Sequence, residues 1–400
     1  MSPLRASEGD PRRRGGTLFI LFSVVIVDLI GFGIVVPVLP FYAREYGASA
    51  TTLGFLVMAY AAAQFACAPL WGRLSDRVGR RPVMQLTVAG TALSLLALGL
   101  ADSLPWIFAA RVLGGGFAAN VSVASAYIAD VTGEEERTRW MGMLGASFGI
   151  GFLLGPAIGG ALAPYGYGVP MLAASGLAAA NFLYALFALR EPTRSVRAPR
   201  EDAGDLTRIG VLRDATVRRL CFANLAFALA VTQLETIFAF FMMDRFDYDA
   251  REVAFILVLM AAVMGGIQGG GMRALADRFR ERTLVVAGSS ILAVSFLAVP
   301  YAPSVALLLV PLVISAAGRA IAQPSLMSLT SLAATPEARG AVMGTFQSSA
   351  SLARIVGPVA AGWLYDLALP APFCLAAALL AGVVLVARGL PTRASLGRGA

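Results

Sequence analysis

Apolar runs long enough to cross a lipid bilayer recur along almost the whole of this 400-residue chain, and no other feature restricts its fold as severely. A helix that spans the hydrocarbon core needs about 20 apolar residues at a rise of 1.5 Å each. Twelve spans are expected, near 17–40, 50–71, 83–101, 105–129, 141–163, 169–189, 219–243, 252–272, 283–301, 304–332, 341–364 and 371–388. Strands of a membrane barrel alternate in hydropathy over about 10 residues. These runs are longer and do not alternate, so the expected class is an all-α membrane protein. Composition agrees, with 58% hydrophobic residues, 14% charged residues and a mean hydropathy of +0.74, too apolar for a water-soluble domain.

The second constraint is an internal repeat. The stretch Gly72-Arg73-Leu74-Ser75-Asp76-Arg77-Val78-Gly79-Arg80-Arg81-Pro82 returns in degraded form as Arg273-Ala274-Leu275-Ala276-Asp277-Arg278-Phe279-Arg280-Glu281-Arg282, with the aspartates 201 positions apart. Gly155-Pro156 returns as Gly357-Pro358, and Arg137–Gly142 is echoed by Arg339–Gly344, both at 202. One period across three landmarks means two halves on one plan, the pattern of transporters built from parallel repeats around a central site. The expected organisation is a cytoplasmic tail over 1–16, a six-helix bundle over 17–190, a cytoplasmic linker over 191–217, a second six-helix bundle over 218–388 and a tail over 389–400. Leu206, Ile209 and Leu212 in the linker have the spacing of a short helix lying on the membrane surface.

Charge sets the orientation. All 32 basic residues are arginine, and with the N-terminus inside, 26 of them fall on the cytoplasmic side against Arg44, Arg245 and Arg251 outside. Both termini are therefore expected in the cytoplasm, and the net charge of +8 reflects topology, with no basic patch interleaved with aromatics for nucleic acid. The run after Arg12–Arg14 is too long for a signal peptide and lacks a small-residue cleavage site, so it is expected to remain as the first span. Histidine is absent, which excludes histidine metal sites and histidine acid–base catalysis; Cys67, Cys221 and Cys374 have no metal-ligand spacing and are expected to pack. No metal site, bound cofactor or catalytic domain is expected, so the chain is not read as an enzyme. The glycine runs Gly149-Ile150-Gly151 and Gly114-Gly115-Gly116 lie inside spans and are not nucleotide loops.

Four motifs carry a family resemblance. The first span reads Asp28-Leu29-Ile30-Gly31-Phe32-Gly33-Ile34-Val35-Val36-Pro37-Val38-Leu39-Pro40. The loop 72–82 follows the second span, and the fourth holds Arg111-Val112-Leu113-Gly114-Gly115, with glycine where a glutamine is usual. The fifth holds Gly151-Phe152-Leu153-Leu154-Gly155-Pro156-Ala157-Ile158-Gly159-Gly160. In this order they resemble the major facilitator superfamily, and in detail its twelve-helix drug/proton antiporters. The stretch Ala126–Arg137 resembles the tetracycline-resistance exporters. The resemblance implies two pseudo-symmetric six-helix bundles in a bacterial inner membrane, monomeric, exporting a small amphipathic compound against protons by alternating access and drawing on the proton gradient. It also implies that Asp76 with Gly72, Arg77, Gly79, Arg80 and Arg81 latches the cytoplasmic side through the eleventh span. Asp277 and Arg278 are then a weaker latch, because Arg280 replaces the second glycine. Gly151, Gly155, Pro156, Gly159 and Gly160 mark an antiporter. Tetracycline exporters carry further acids in spans 3 and 9 and a histidine in span 8; none is present, so a multidrug or metabolite exporter is an equal expectation. A nutrient symporter of the same fold and a non-transporting membrane sensor are the rival readings.

An ionisable group within a span costs about 2.5–3.5 kcal/mol on insertion scales and is a functional candidate by default. Asp28, Arg111, Glu235, Arg319 and Arg354 qualify. Burial raises a carboxyl pKa and a nearby arginine lowers it, so Asp28 can load and release a proton if its partner changes. By resemblance Arg111 is that partner; a fixed structural pair is the alternative. Glu235 is a second proton site, a counter-charge for a cationic substrate, or a partner of Arg354 or Arg319. Polar stripes on span 10 (Ser315, Arg319, Gln323) and span 11 (Gln347, Ser351, Arg354) are expected to line the substrate cavity, with Thr232 and the lesser candidates Tyr60, Gln64 and Asn120; as buried groups they would instead be interhelical hydrogen bonds.

Overall fold

The computed structural model describes residues 11–191, 210–335 and 338–390, and among them there are helices and no strands. Residues 192–209, which hold most of the linker and two of the three apolar residues assigned to a surface helix, lie outside the described residues. The helices are α1 (Pro11–Glu45), α2 (Ala50–Val78), α3 (Arg80–Gly99), α4 (Leu104–Phe117), α5 (Asn120–Val131), α6 (Glu134–Leu162), α7 (Gly168–Ala188) and α8 (Ala215–Phe246). They continue with α9 (Ala250–Gly266), α10 (Met272–Arg278), α11 (Glu281–Ala298), α12 (Val305–Ala333), α13 (Arg339–Leu367) and α14 (Ala371–Arg388). Among the described residues, eleven helical segments are long and apolar enough to cross a membrane, counting α4 with α5 and α9 with α10 as one each. The twelfth is α13, 29 residues long and made more polar by Gln347, Ser348, Ser349, Ser351 and Arg354. Large apolar side chains such as Phe187 and Leu385 point outward at 85% and 70% exposure, as suits a molecule whose solvent is hydrocarbon.

Three local features depart from the sequence expectation. The segment 72–82 is not a loop: α2 stays helical to Val78, and Gly79 at φ 109° makes the whole turn into α3. Asp76 consequently sits in the last turn of a helix, and Gly72 is a helical residue with open space around it. The fourth span is broken after Phe117, behind the helix-weakening triplet Gly114–Gly116, and restarts at Asn120. The eighth span has a π turn over Ile267–Gly271, where three consecutive glycines fall.

The helices form two compact units, Met1–Val38 with Ala63–Ala198, and Leu39–Ala62 with Pro199–Ala400. In the first unit α1 and α6 cross at backbone contact. A Cβ on Gly33 would lie 2.5 Å from the Gly151 carbonyl oxygen, one on Gly155 would lie 2.5 Å from the Gly33 Cα, and one on Gly159 would meet the Ile34 carbonyl. Small residues drive such association in a bilayer, where lipid tails compete equally for apolar side chains. Gly142, Gly145 and Gly149 on the same helix face open space. The second unit repeats the crossing: Gly357 of α13 abuts Thr232 and Leu229 of α8.

The short segment 39–62 packs within the second unit. Gly54 lies against Pro358, and Gly362 against Ala50, again at backbone contact. The Asp366 carboxylate caps α2, accepting from Ala50 N (3.2 Å), Thr51 N (2.9 Å) and Thr51 Oγ1 (2.6 Å). Beside it Asp244 accepts from Arg44 (2.7 Å) and from the Tyr365 hydroxyl (2.9 Å), while the Arg44 guanidinium lies 4.7 Å from the Phe240 ring centre. Burial works to raise the Asp366 pKa, but the Thr51 hydroxyl and the two backbone N–H groups outweigh it and hold the carboxyl below its usual range.

Two outcomes follow for thermal unfolding of the purified protein. Gly155→Ala is expected to destabilise by about 1–3 kcal/mol, because backbone atoms cannot yield as a side chain would. Gly149→Ala, with open space around it, is expected to leave the melting temperature unchanged or raise it slightly, by up to about 1 kcal/mol of stability. Asp366→Ala is expected to cost about 1 kcal/mol, the low end for a cap because the carboxylate is largely exposed. A depressed carboxyl contributes stability above its unfolded pKa and loses it as pH falls through the folded value. The difference between wild type and Asp366→Ala should thus be constant from alkaline to mildly acidic pH and shrink only below the usual carboxylate range.

Candidate functional site

Asp28 lies on α1 at the crossing with α6, one residue before Leu29, whose Cβ would lie 2.6 Å from a Cβ placed on Gly151. Its half-buried carboxylate accepts from Asn120 Nδ2 at 2.8 Å. It makes no ion pair among the described residues, so the expected partner Arg111, buried on α4, is not the group that holds it. Asn120 is the first residue of α5, placed there by the break in the fourth span. Its side-chain oxygen accepts from the Thr87 hydroxyl of α3 in a very short contact.

The break frees backbone carbonyls where no water is available, and α2 supplies the donors. Trp71 Nε1 donates to Gly116 O (2.6 Å) and Gln64 Nε2 to Ala118 O (2.9 Å). Gln64 and Asn120 were expected to line a cavity; their polar atoms are instead committed to the backbone break and to Asp28. Tyr60 is half-buried on α2.

In the second unit Arg319 of α12 donates to Glu235 of α8 at 2.5 Å, with side-chain exposures of 28% and 50%. This selects Arg319 from the two partners left open for Glu235. Along the same stripes Gln323, Gln347 and Arg354 are exposed, Ser351 is half-buried and donates to Gln347 O, and Arg354 has no ion pair among the described residues. Thr232 does not share that surface. It is buried against Gly357, with its hydroxyl bonded to Leu229 O, because the second crossing needs a small neighbour there. The adjacent Gln233, which sequence reasoning passed over, is buried and donates to Leu229 O and to Gly357 O.

At the arginine-rich turn, Arg80 is the centre. It is buried, pairs with Asp76 (2.6 Å) and Asp130 (2.8 Å), and donates to Ser75 Oγ (2.6 Å). Gly79 offers no side chain to cap α3, and Glu191 does so from the end of the sixth span, accepting from Arg80 N (2.7 Å) and Arg81 N (2.9 Å). Tyr127 adds a bond from its hydroxyl to Arg190 O, and Arg81 donates to Leu186 O. Tyr127 and Asp130 lie in the stretch 126–137 that carries the family resemblance, with no role assigned to either in sequence, and Glu191 is read there only as part of the linker. The uncapped helix start after Gly79 demands an acceptor without saying where it comes from. Arg77 is exposed, and in the degraded copy Asp277 and Arg278 are exposed with no ion pair among the described residues.

Among the described residues no cluster of histidine, cysteine, aspartate or glutamate could hold a metal ion. The arrangement therefore offers one half-buried membrane carboxyl with an exchangeable hydrogen bond, one polar surface with a free arginine, and a charge-locked turn.

The family model described as the Major Facilitator Superfamily matches residues 21–274 and 271–398. The chain is 32% identical to the class D tetracycline resistance protein of Salmonella ordonez, over 87% of this chain and 89% of that one. It is 29% identical to multidrug resistance protein 2 of Bacillus subtilis, over 92% and 93%. In three dimensions it matches the human organic anion transporter MFSD10 with a TM-score of 0.69 at 27% identity, covering 94% of this chain and all of that one. A bacterial homologue of the lysosomal transporter Spinster, at 19% identity and a TM-score of 0.77, shares the fold. The chain belongs to the Major Facilitator Superfamily, as a multi-pass membrane transporter of that fold related to tetracycline and multidrug resistance proteins.

Proposed function

We propose that this protein is a proton-coupled exporter of small amphipathic compounds, working by alternating access in a bacterial inner membrane with both termini in the cytoplasm. The observation that carries the reading is Asp28: a carboxyl within a span, held by a neutral amide and, among the described residues, by no ion pair. A group paired to a fixed arginine would stay ionised, whereas one held by an amide can gain and lose a proton without stranding a buried counter-charge. Protonation from outside neutralises Asp28, and release inside restores the charge, so the transport cycle carries protons with the gradient. No cofactor enters this scheme, and the working unit is a monomer. The α1–α6 glycine crossing sits beside Asp28 and lets a change on α1 reach the helix that carries the antiporter-like motif. The Arg80 cluster is the cytoplasmic latch of the cycle.

The substrate reading rests on the second unit. Arg354 is exposed and has no ion pair among the described residues, and Arg319 pairs with Glu235, so a compound with an anionic or strongly electronegative portion is favoured. Tetracycline is one such compound; an organic anion is the second reading, which the unpaired Arg354 favours.

The decisive measurement is accumulation inside everted membrane vesicles with an acidified lumen, with tetracycline and a panel of amphipathic drugs and organic anions as probes. Gradient-driven transport is expected to fall at least about tenfold in Asp28→Asn and to collapse with an uncoupler. Gradient-driven accumulation that persists in Asp28→Asn overturns the coupling role, and gradient-driven loss of preloaded substrate in place of accumulation overturns the exporter reading.

A further inference from the structure

The hydrogen bonds around Asn120 cannot all form at once, and the conflict has two clean solutions. Thr87 and Asn120 are buried, at 0% and 2% exposure, so no solvent relaxes the problem. Thr87 Oγ1 lies within reach of three acceptors: the carbonyls of Val83 and Met84, each at 3.0 Å, and the Asn120 side-chain oxygen. A hydroxyl carries one proton. If that proton goes to Asn120, the amide presents its oxygen to Thr87 and its NH2 to Asp28, which suits a carboxylate. If the proton goes to Val83 or Met84, Thr87 can only accept. Asn120 must then turn its NH2 toward Thr87 and its oxygen toward Asp28, which suits a protonated carboxyl and repels an ionised one. Oxygen and nitrogen of an amide occupy the same volume, so turning it over costs no packing.

We infer that Asn120 is the positioning residue that reads the proton on Asp28, its side-chain amide turning over when the carboxyl is protonated. The inference rests on the reading of Asp28 as the proton site. In the ionised state Asn120 N–H donates to Asp28 and Thr87 O–H donates to Asn120. In the protonated state Asp28 O–H donates to the Asn120 oxygen, Asn120 N–H donates to Thr87, and Thr87 O–H donates to the α3 backbone. The two states differ by the single proton on Asp28, and the Asp28–Asn120 and Asn120–Thr87 contacts each pair a donor with an acceptor in both. A proton arriving on α1 is thereby passed as a change of polarity through the first residue of α5 to α3. The location is consistent with this role, because Asn120 lies at the helix break whose carbonyls Gln64 and Trp71 satisfy.

Few charges compete for Asp28. Of the helices around it, α7 has no charged residue and α6 has its charges only between Glu134 and Arg139. In α3 the charges are Arg80 and Arg81 at its start, and α4 and α5 contribute Arg111 and Asp130. The α2 charges, Arg73, Asp76 and Arg77, are confined to its last turns.

The chain has three asparagines, Asn120, Asn181 and Asn224, which makes the test direct. The full chain, reconstituted into liposomes with asparagine labelled at the side-chain carbonyl, is titrated by infrared difference spectroscopy. Asn181 and Asn224 donate to the carbonyls of Val24 and Phe346 and provide still references. In Thr87→Val the ionised state leaves the Asn120 carbonyl without a donor. Acidification is then expected to shift its band to lower frequency, with the same midpoint as the appearance of the Asp28 carboxyl band. Thr87→Ser restores the smaller wild-type shift. Asn120→Leu removes the band and raises the carboxyl midpoint by about one pH unit, since the carboxylate loses a charge-assisted donor. Thr87→Val is nearly isosteric and carries the test alone if Asn120→Leu does not fold. An Asn120 band in Thr87→Val that stays fixed while the Asp28 carboxyl protonates overturns the amide reading and leaves the proton site standing. An Asp28→Ala spectrum that keeps every carboxyl band of the wild type on acidification overturns the proton site and the amide reading together.

Discussion

A polar backbone group inside a bilayer has no water to turn to, and that one constraint governs what most of the polar side chains here are free to do. Where the chain is continuous helix the constraint satisfies itself. Where it is not, side chains are taken. The break between α4 and α5 exposes the carbonyls of Gly116 and Ala118, and Trp71 and Gln64 of α2 are drawn in to meet them. The turn at Gly79 exposes the first N–H groups of α3, and Glu191 is drawn in from the far end of the unit. Polar residues that sequence reasoning assigns to a substrate cavity are therefore partly spent on the scaffold. What remains uncommitted is narrower and more informative: Asp28 with its amide, and the exposed stripe of Gln323, Gln347 and Arg354.

Backbone proximity is the second organising interaction. One face of α6 carries Gly151, Gly155 and Gly159 into contact with α1, and another carries Gly142, Gly145 and Gly149 into open space. The first set sets the distance between two helices and cannot take a methyl group; the second set has no such duty. The same crossing recurs between α8 and α13, where Gly357 stands 202 positions after Gly155 and its neighbour Thr232 stands 202 after Ile30. The internal repeat is thus a repeat of contacts as well as of motifs.

The chemistry does not repeat with the scaffold. Asp28 corresponds to an apolar position in α8, and Glu235 of the second unit is paired with Arg319, while Asp28 has no ion pair among the described residues. At the turns, the first copy has a glycine at φ 109° and a buried arginine bound to two aspartates, while the second has Arg280 in extended backbone and exposed charges. Two halves thus share a frame and differ in charge placement, with a carboxyl unpaired by charge among the described residues of one and the Glu235–Arg319 pair in the other.

The medium, the helical class, the twelve spans and the two-fold plan were legible in the chain itself, because hydropathy and span length are local quantities set by the thickness of a bilayer. Asp28, Glu235 and the arginines of spans 10 and 11 were legible as candidates for the same reason: charge in an apolar run is conspicuous wherever it folds. Partners were not legible. Asn120 lies 92 positions from Asp28, Arg319 lies 84 from Glu235, and Glu191 lies 111 from Arg80. A hydrogen bond depends on a few tenths of an ångström between groups that only packing brings together. The helical state of residues 72–78, the break at 118–119 and the burial of Thr232 were likewise decided by neighbours, since each depends on which backbone or side chain lies opposite. Sequence determined which groups are costly in a membrane; tertiary structure decided which of them are compensated, and so which are left to act.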